Sequence, residues 1–384
     1  MNKTPNRALL PPGLGDALPP DAEFEASVVA RLLESFASHG YERVKPPLVE
    51  FEESLFAGAG AAMAGATFRL MDPVSQRMMG VRADITPQIA RIAATRLAAA
   101  PRPLRLSYAG EVLCVTAGQL RVEREFVQVG AELIGSQAAR GDAEVILLAT
   151  RALTAVGAGR LSVDLTLPTL VSAVCEGLGL DDDATAEART ALDRKDAAAV
   201  AAVGGRAAEL LGAMLRAAGP HQAALAALAA LELPPAAAAM RDGLAEVASL
   251  VAADTPGIGL TVDPVEHRGF EYQTGVSFTV FGLGVRGELG RGGRYHAGGD
   301  DGDGEPATGF TLYMDSLLRA LPAPAPASRL FASVAVDAGD VARLRAEGWR
   351  VVAALEPCDD AAAEARRQGC SHVLADGAIV ALDE

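Results

Sequence analysis

The stretch SYAGEVLCVTAGQLRVEREFVQVGAE, residues 107–132, decides the fold class of this chain. It links two strand-like segments, residues 104–113 and 125–134, and Gly118 marks the turn region between them. Strand-like segments joined through a glycine-containing turn are typical of antiparallel pairs. Together with helical patterns on either side, the stretch predicts an α+β fold with a mostly antiparallel sheet flanked by helices.

The residues before this stretch predict a helix, a broken strand and a hairpin. Residues 21–39 carry apolar side chains at helical spacing and are followed by Gly40, which is typical of a helix end. The segment YERVKPPLVEF, residues 41–51, predicts a strand that Pro46 and Pro47 interrupt. We also predict an extended arm over residues 1–20, a hairpin of residues 68–71 and 78–82, and a helix over residues 86–97.

Composition divides the rest of the chain into an insertion, a linker and a small C-terminal domain. Alanine dominates residues 176–256, which predicts a helical insertion within a core of residues 1–320. The segment LPAPAPAS, residues 321–328, has the composition of a linker. Residues 329–384 alternate strand and helix patterns and predict a small α/β domain. Within the core we further predict a helix over residues 142–156, strands over 161–165, 259–262, 275–281 and 285–289, and a strand with a helix over 309–321.

Composition and charge argue against several classes of function. Half of the 384 residues are apolar, and the formal net charge is −15. Such acidity disfavours a broad nucleic-acid surface, because affinity for phosphates comes largely from Lys and Arg. No apolar run approaches the roughly 20 residues of a membrane span, and the four cysteines lack zinc spacing. We therefore expect a cytoplasmic protein without a metal or another cofactor.

Two segments rich in arginine and glycine are the strongest candidates for a binding site. They are EHRGFEYQTG, residues 266–275, and ELGRGGRY, residues 288–295. An arginine binds a carboxylate or a phosphate through two parallel hydrogen bonds, and a neighbouring glycine lets the backbone approach a small ligand. GRGGRY lacks the spacing of a dinucleotide fingerprint. The two segments therefore predict a pocket for a small molecule such as an amino acid.

Several segments, in order, resemble class II aminoacyl-tRNA synthetases and most closely the histidyl-tRNA synthetase branch. RADITP, residues 82–87, is similar to the branch's Arg-Pro-Glu-Gly-Thr segment, and residues 107–132 are similar to the second class motif. EHRGFEYQTG and GGRYHAGG resemble two further segments of the branch, and GFTLYMDSLL, residues 309–318, lies where the third class motif belongs. The resemblance covers roughly residues 5–320 and implies a synthetase-like core.

The resemblance also indicates which catalytic groups of the synthetases this chain lacks. The motif-2 arginine that holds the ATP α-phosphate falls at Cys114, and the motif-2 glutamate near the adenine falls at Thr116. The motif-3 Glu-Arg pair falls at Asp315 and Ser316. Adenylation needs positive charge placed where negative charge develops. Loss of two arginines, at about 2–4 kcal/mol each, therefore predicts that aminoacylation is lost.

The resemblance also implies an amino-acid pocket, and more of its residues are present in this chain than of the ATP-binding groups. It would offer an acid and polar groups to a histidine ammonium, an acid to the imidazole, an arginine to the carboxylate, and aromatic walls. These residues are Asp84, Thr86 and Gln128 at the ammonium, Glu132 at the imidazole, Arg268 at the carboxylate, and Tyr108, Tyr272 and Tyr295 as walls. Two positions depart from the pattern. Asp84 is one methylene shorter than the family's glutamate, and Gln273, also a candidate, stands where a second tyrosine is expected.

A synthetase-like body without the ATP arginines and without a full anticodon-binding domain resembles the regulatory-subunit family of ATP phosphoribosyltransferase. That resemblance implies a non-catalytic chain that activates a short-form catalytic subunit in the first step of histidine biosynthesis and takes part in feedback inhibition by histidine. A homodimer within a hetero-oligomer is also implied, because residues 41–53 resemble the class II dimer motif. Two alternatives stay open: an ATP-dependent ligase that activates histidine or a related amino acid, and a scaffold that binds tRNA or protein.

The candidate residues also have interpretations without a ligand. Arg268, taken with its own segment alone, is equally compatible with an ion pair at a strand end. Gln128 and Glu132 lie on the same side of a predicted strand, which a solvated sheet face would also explain. We interpret Arg121 and Arg124 as a solvated charged face, in preference to a phosphate site or a subunit contact.

Overall fold

The structure is a computed structural model, and it divides the chain into two compact units, Met1–Pro322 and Ala323–Glu384. None of the helices that it describes is long and apolar enough to cross a membrane. The described residues are 9–116, 121–267, 272–298, 304–324, 328–375 and 377–382.

The first unit combines helices with two β-sheets. Its helices are α1 (Asp21–Ser38), α2 (Glu52–Leu55), α3 (Thr86–Thr95), α4 (Ala139–Val156), α5 (Leu170–Gly177), α6 (Asp182–Asp193), α7 (Ala197–Ala202), α8 (Gly205–Arg216), α9 (His221–Ala229), α10 (Pro235–Asp254) and α11 (Met314–Ala320), with a 3-10 helix at Gly58–Met63. Its strands are β1 (Glu42–Arg43), β2 (Val49–Phe51), β3 (Phe68–Met71), β4 (Met78–Val81), β5 (Leu104–Leu113), β6 (Glu125–Ile134), β7 (Leu161–Thr166), β8 (Gly219–Pro220), β9 (Gly259–Asp263), β10 (Ser277–Gly282), β11 (Gly290–Ala297) and β12 (Glu305–Tyr313).

Nine strands form the central sheet in the order β1-β5-β6-β12-β11-β10-β7-β9-β8. Neighbours are antiparallel except at two pairs, β1 with β5 and β7 with β9. The predicted pair of long strands is confirmed, because β5 and β6 are in register from Leu104 opposite Ile134 to Leu113 opposite Glu125. The mostly antiparallel sheet is confirmed as well.

Helices cover both faces of the middle of this sheet. The apolar stripe predicted for the first helix is buried on α1, where Val28, Leu32 and Phe36 are all 0% exposed. Phe36 meets Phe310 of β12 edge to face, with ring centroids 5.4 Å apart. These residues and α4 belong to one core, and burying each large apolar side chain contributes about 1.5–3 kcal/mol. On the opposite face, α3 contributes Ile89 to a second core.

One strand prediction is wrong. Residues 285–289 are not a strand in the structure, and the strand is instead β11, which contains the glycine-rich segment. Glycine weakens a strand when judged by sequence alone. In the fold it is required, because a Cβ on Gly292 would lie 2.1 Å from the Gly309 carbonyl oxygen and 2.7 Å from the Phe310 Cβ. Close packing against β12 therefore determines where this strand runs.

The predicted hairpin belongs to a separate three-stranded sheet in the order β2-β4-β3. β3 and β4 pair antiparallel, and the turn between them is closed by the Asp72 carboxylate, which accepts hydrogen bonds from the backbone N–H groups of Val74 and Ser75 at 3.1 Å. The strand predicted over residues 41–51 is divided into β1 and β2, as its two prolines predict.

The second unit is a small α/β fold. Its sheet has the order β14-β13-β15-β16, and Phe331 and Ala365 are fully buried in its core. The predicted alternation of strands and helices is confirmed, with one further strand at the end. The elements are β13 (Arg329–Ala332), α12 (Ala338–Ala346), β14 (Arg350–Ala353), α13 (Ala361–Arg367), β15 (His372–Ala375) and β16 (Ala378–Ala381).

Candidate functional site

A cavity of about 170 Å³ opens on the face of the central sheet that α3 covers. Alternate residues of β6, β11 and β12 point into it, as the period of two along a strand requires. Pockets for drug-sized ligands measure about 300–1,000 Å³. This cavity therefore fits a molecule of the size of an amino acid.

Glu132 of β6 is the most deeply buried acid of the cavity wall, at 1% exposure. Three hydroxyl groups donate hydrogen bonds to its carboxylate: Thr86 at 3.1 Å, Tyr295 at 3.0 Å and Tyr108 at 3.4 Å. Burial raises the pKa of Glu132 to about 8, although these hydrogen bonds oppose the rise. The carboxyl is therefore mainly protonated at neutral pH. It loses its proton and accepts strong hydrogen bonds only when a cation or an N–H donor beside it compensates the negative charge of the carboxylate.

A second acid, Asp84, lies in the loop before α3 and also faces the cavity. Burial raises its pKa, while backbone hydrogen bonds from Thr86 and Ile85 and attraction to Arg291 oppose that rise. Gln128 holds this loop, because its Oε1 accepts a hydrogen bond of 3.1 Å from the backbone N–H of Ile85. The polar groups beside Asp84 are therefore fixed by both the sheet and the start of the helix.

Glycines in the strands make space for these side chains. A Cβ on Gly309 would lie only 1.7 Å from Oε2 of Glu132, so the carboxylate occupies the place of a missing side chain. A Cβ on Gly130 would likewise lie 2.4 Å from the hydroxyl of Tyr108. Both glycines lie in central strands, where they are required by the close approach of polar groups.

The structure brings most of the predicted site residues together. Tyr108 is fully buried behind the cavity wall, where its hydroxyl lies 2.7 Å from that of Thr311. Arg268 lies outside the described residues. Interpreting Gln128 and Glu132 as a solvated sheet face is wrong, since they are only 4% and 1% exposed. The predicted residues on the cavity wall are Asp84, Thr86, Gln128, Glu132, Tyr272, Gln273 and Tyr295.

Gln273 is a polar side chain of the cavity wall, and its carbonyl oxygen lacks a hydrogen-bond partner among the described residues. It is 7% exposed, and its buried Oε1 has no hydrogen-bond partner among the residues that the structure describes. Tyr272 beside it packs edge to face on Tyr295, with ring centroids 5.9 Å apart. A buried acceptor without a partner costs about 1–3 kcal/mol, and this oxygen lies on the cavity wall, where it is placed to accept a hydrogen bond.

Two arginines of the wall were not predicted as site residues. Arg291 of β11 lines the cavity and donates a hydrogen bond of 3.1 Å from Nε to the Tyr313 hydroxyl. The period of two along the strand would have revealed it, because Arg291 lies four residues before Tyr295. The sequence analysis missed this spacing because it placed the strand at residues 285–289 and not at Gly290–Ala297.

Arg121 is the second, and interpreting it as part of a solvated face is wrong. Its guanidinium carbon lies 4.2 Å from the ring centroid of Phe126 and 4.1 Å from that of Tyr313. Its Nε pairs with Asp315 at 3.0 Å, where the Asp315 side chain is 7% exposed. The aromatic rings and the buried carboxylate together fix this cation on the cavity wall. Arg124, which the sequence analysis grouped with Arg121, donates hydrogen bonds to the backbone carbonyl oxygens of Cys114 and Pro12.

The positions that depart from the synthetase pattern lie around this stacked arginine. Cys114 lines the cavity, and burial raises the pKa of its thiol, so that it is a neutral side chain. Ser316 is 3% exposed and accepts a hydrogen bond from Arg319 at 3.2 Å. Thr116 is exposed. None of these three side chains can supply positive charge to a phosphate.

Comparisons with known proteins agree on one family. A family model described as histidyl-tRNA synthetase matches residues 13–317. An ATP phosphoribosyltransferase regulatory subunit of Rhodospirillum centenum is 60% identical over 98% of this chain and 97% of its own, and one of Paramagnetospirillum magneticum is 58% identical over 100% of both. A Bacillus halodurans crystal structure described as an ATP phosphoribosyltransferase regulatory subunit/histidyl-tRNA synthetase has a TM-score of 0.81 at 24% identity, covering 95% of this chain and 97% of that one.

The fold and the pocket thus define a class II, histidyl-tRNA synthetase-like architecture, which confirms the predicted fold class. Within that class the chain belongs to the family of ATP phosphoribosyltransferase regulatory subunits, as its resemblance implied. Membership makes it a non-catalytic, regulatory subunit of ATP phosphoribosyltransferase, which belongs to histidine biosynthesis.

Proposed function

We propose that this chain binds L-histidine in the cavity of the central sheet and transmits feedback inhibition to a short-form ATP phosphoribosyltransferase catalytic subunit, which it also activates. Family membership supports the catalytic partner. One observation carries the histidine proposal: a cavity of about 170 Å³ keeps the buried acids and hydroxyls around Glu132, while Cys114 and Ser316 replace the arginines needed for ATP chemistry.

The groups on the wall match the parts of a histidine molecule. Asp84 and Thr86 would bind the ammonium, and the arginine Arg268 would bind the carboxylate. Glu132 would accept a hydrogen bond from one imidazole nitrogen. The Oε1 of Gln273, which has no partner within the described part of the chain, suits a second N–H donor of the ligand. Such a site distinguishes histidine from apolar amino acids, because those would leave buried polar groups without partners.

The decisive experiment mixes the chain with a short-form catalytic subunit and measures ATP phosphoribosyltransferase activity with and without histidine. We expect the mixture to be more active than the catalytic subunit alone and to lose activity when histidine is added. No co-elution and no activation would refute the proposal. ATP–pyrophosphate exchange serves as a control, since robust histidine-dependent exchange would favour a ligase instead.

Calorimetry with histidine tests the pocket separately from the partner. We expect Arg268→Ala to weaken histidine binding about 10- to 100-fold, as expected for hydrogen bonds between charged groups. By reciprocity, assembly with the catalytic subunit changes histidine affinity by the same factor by which histidine changes assembly. Unchanged affinity in the variant would remove Arg268 from the site.

The remaining proposals concern assembly and location. We propose a homodimer within a larger hetero-oligomer, cytoplasmic and without tRNA, and a gel shift at physiological salt tests the last point. We further propose that residues 1–320, with the helical insertion 176–256, form the functional core, and that residues 321–328 link it to the C-terminal domain of residues 329–384.

A further inference from the structure

Arg82 is a buried cation that is held by backbone carbonyl groups. It is 5% exposed, and its guanidinium donates hydrogen bonds from Nε to the Glu111 carbonyl at 2.7 Å and from Nη1 to the Pro46 carbonyl at 3.2 Å. Burial lowers the pKa of the guanidinium, but arginine remains charged at neutral pH. Because a buried charge is costly unless hydrogen bonds compensate it, these carbonyls fix the place of the guanidinium.

The two prolines that divide the first predicted strand explain why donors are needed here. Pro46 and Pro47 lie between β1 and β2, outside the paired residues of both strands. Arg82 donates to the first of their carbonyls, and Nε2 of Gln88, a residue of α3 that is 1% exposed, donates to the second at 2.8 Å. Nη1 of Arg82 also lies 3.5 Å from Oε1 of Gln88. We call Arg82 and Gln88 together the carbonyl clamp.

The backbone of Arg82 is fixed as firmly as its side chain. Its N–H donates to the Leu48 carbonyl at 3.1 Å, and its carbonyl accepts a hydrogen bond of 3.0 Å from the N–H of Leu113. Gly110 of β5 makes room for the guanidinium, since a Cβ there would lie 2.3 Å from Nη2. Arg82 therefore joins the end of β4 to the central sheet.

The carbonyl clamp encloses the loop that carries the groups proposed for the ligand ammonium. Asp84 follows Arg82 by two residues, Gln88 follows Thr86 by two, and Asp84 and Thr86 both line the cavity. Gln128 fixes the middle of this loop on the sheet, and the clamp fixes both of its ends. A binding group works only when its supporting residues hold it to within about 0.5 Å, so the clamp controls the contact that Asp84 makes.

We infer that Arg82 is a positioning residue for the ammonium of the ligand. It acts by placing Asp84 and does not itself line the cavity. This inference rests on the proposed histidine binding and deepens it, because it names what holds the acid that recognises the ammonium. The imidazole contact at Glu132 lies on β6, outside the loop that the clamp encloses, and is independent of it.

The test measures by calorimetry the binding of histidine and of imidazolepropionate, which is histidine without its ammonium group. The unmodified chain should bind histidine about 10- to 100-fold more tightly, as charge-assisted hydrogen bonds predict. Arg82→Met removes the donors, so it should weaken histidine about 10-fold and leave imidazolepropionate within about twofold. Arg82→Lys keeps the charge without the fork and should recover part of the preference.

A double-mutant cycle connects Arg82 to the acid that it positions. In a chain that already carries Asp84→Asn, adding Arg82→Met should change histidine affinity by less than about twofold, because the contact that Arg82 positions is already lost. A full, additive loss in the double variant would mean that Arg82 acts through some other group, and would overturn the inference.

The matched control is Arg102→Met, because Arg102 holds the other end of α3 through the carbonyls of Leu97 at 3.0 Å and Ala100 at 2.8 Å. It should leave the preference for histidine unchanged. Thermal unfolding verifies that each variant is folded, and Gln88→Met carries the comparison if the Arg82 variants are not. Equal weakening of both ligands, or an unchanged preference, overturns the role of Arg82 alone. Binding of neither ligand by the unmodified chain overturns the proposed histidine site itself.

Discussion

Among single residues, the buried carboxyl of Glu132 makes the free energy of unfolding depend on pH. Its pKa is about 8 in the folded chain against an ordinary value of 4.5, so the folded protein keeps a proton that the unfolded chain releases. The stability this gives is complete below about pH 4.5 and is lost as pH rises towards 8, by up to about 1.4 kcal/mol per pH unit.

We expect Glu132→Gln to remove this dependence, because glutamine is neutral at every pH. Urea unfolding between pH 5.5 and 8 should show the unmodified chain losing stability relative to the variant by roughly 1–3 kcal/mol. Glu246→Gln, an exposed position on α10, is the control and should show no such trend. A difference in unfolding free energy that stays constant across this range would contradict the raised pKa.

Arg121 is predicted to stabilise the fold through its stack and its buried ion pair. Arg121→Met keeps much of the side-chain length but leaves the Asp315 carboxylate with Arg319, 3.5 Å away, as its described ion-pair partner. We expect a loss of about 2–3 kcal/mol in the free energy of unfolding. The exposed Arg286→Met should cost less than about 0.5 kcal/mol. A similarly small loss for Arg121→Met would restore its interpretation as a solvated residue.

The two kinds of site residue differ in how well sequence predicts them. Glu132 and Tyr295 lie in segments that resemble histidyl-tRNA synthetases, and that resemblance identified them as site residues. Arg121 and Arg291 depend on contacts with Asp315 and Tyr313, which are distant in the chain and meet only in the folded sheet. Local pattern carries no information on such contacts, so these two arginines could not be assigned a partner in advance.

At the level of elements, the antiparallel pairing of β6 with β12 sets Glu132 directly opposite Gly309. Gly309→Ala would put a Cβ 1.7 Å from Oε2 of Glu132 and 2.7 Å from the carbonyl oxygen of Ala131. Because the second atom belongs to the backbone and cannot rotate away, we expect a loss of about 1–3 kcal/mol in stability and the loss of histidine binding. Chemical unfolding and calorimetry measure the two effects.

Gly243→Ala on α10 provides a matched control for that substitution. A Cβ there meets nothing within 4 Å, and alanine favours a helix over glycine by up to about 1 kcal/mol. The same change of residue should therefore stabilise the chain at position 243 and destabilise it at position 309. Equal effects at both positions would show that close approach to Glu132 does not matter.

Prediction of the elements succeeded where local patterns and burial agree. The stripe Val28, Leu32 and Phe36 has helical spacing and is buried, and β5 and β6 have the predicted bounds. It failed at β11, whose glycines are selected by contacts with β12 and not by strand propensity. Sequence thus predicts elements from their own residues and misses those that neighbouring strands determine.

At the level of the whole molecule, every described residue of the cavity wall belongs to the first unit. We therefore expect a chain that ends after Pro322 to bind histidine within about threefold of the full chain. Calorimetry on both chains tests this, with circular dichroism to verify that the shorter chain is folded. Loss of binding in a folded shorter chain would mean that residues 323–384 take part in the site.

The stacked Arg121 also bears on what an arginine at the departed positions would cost. An arginine at Cys114 would join two guanidiniums, those of Arg121 and Arg124, whose charges already act on that thiol. An arginine at Ser316 would enter a position that is 3% exposed. We expect either substitution alone to lower the stability of the fold, by repulsion between like charges at position 114 and by burial of a charge at position 316. A phosphate-binding arginine at either position therefore requires compensating substitutions elsewhere in the fold.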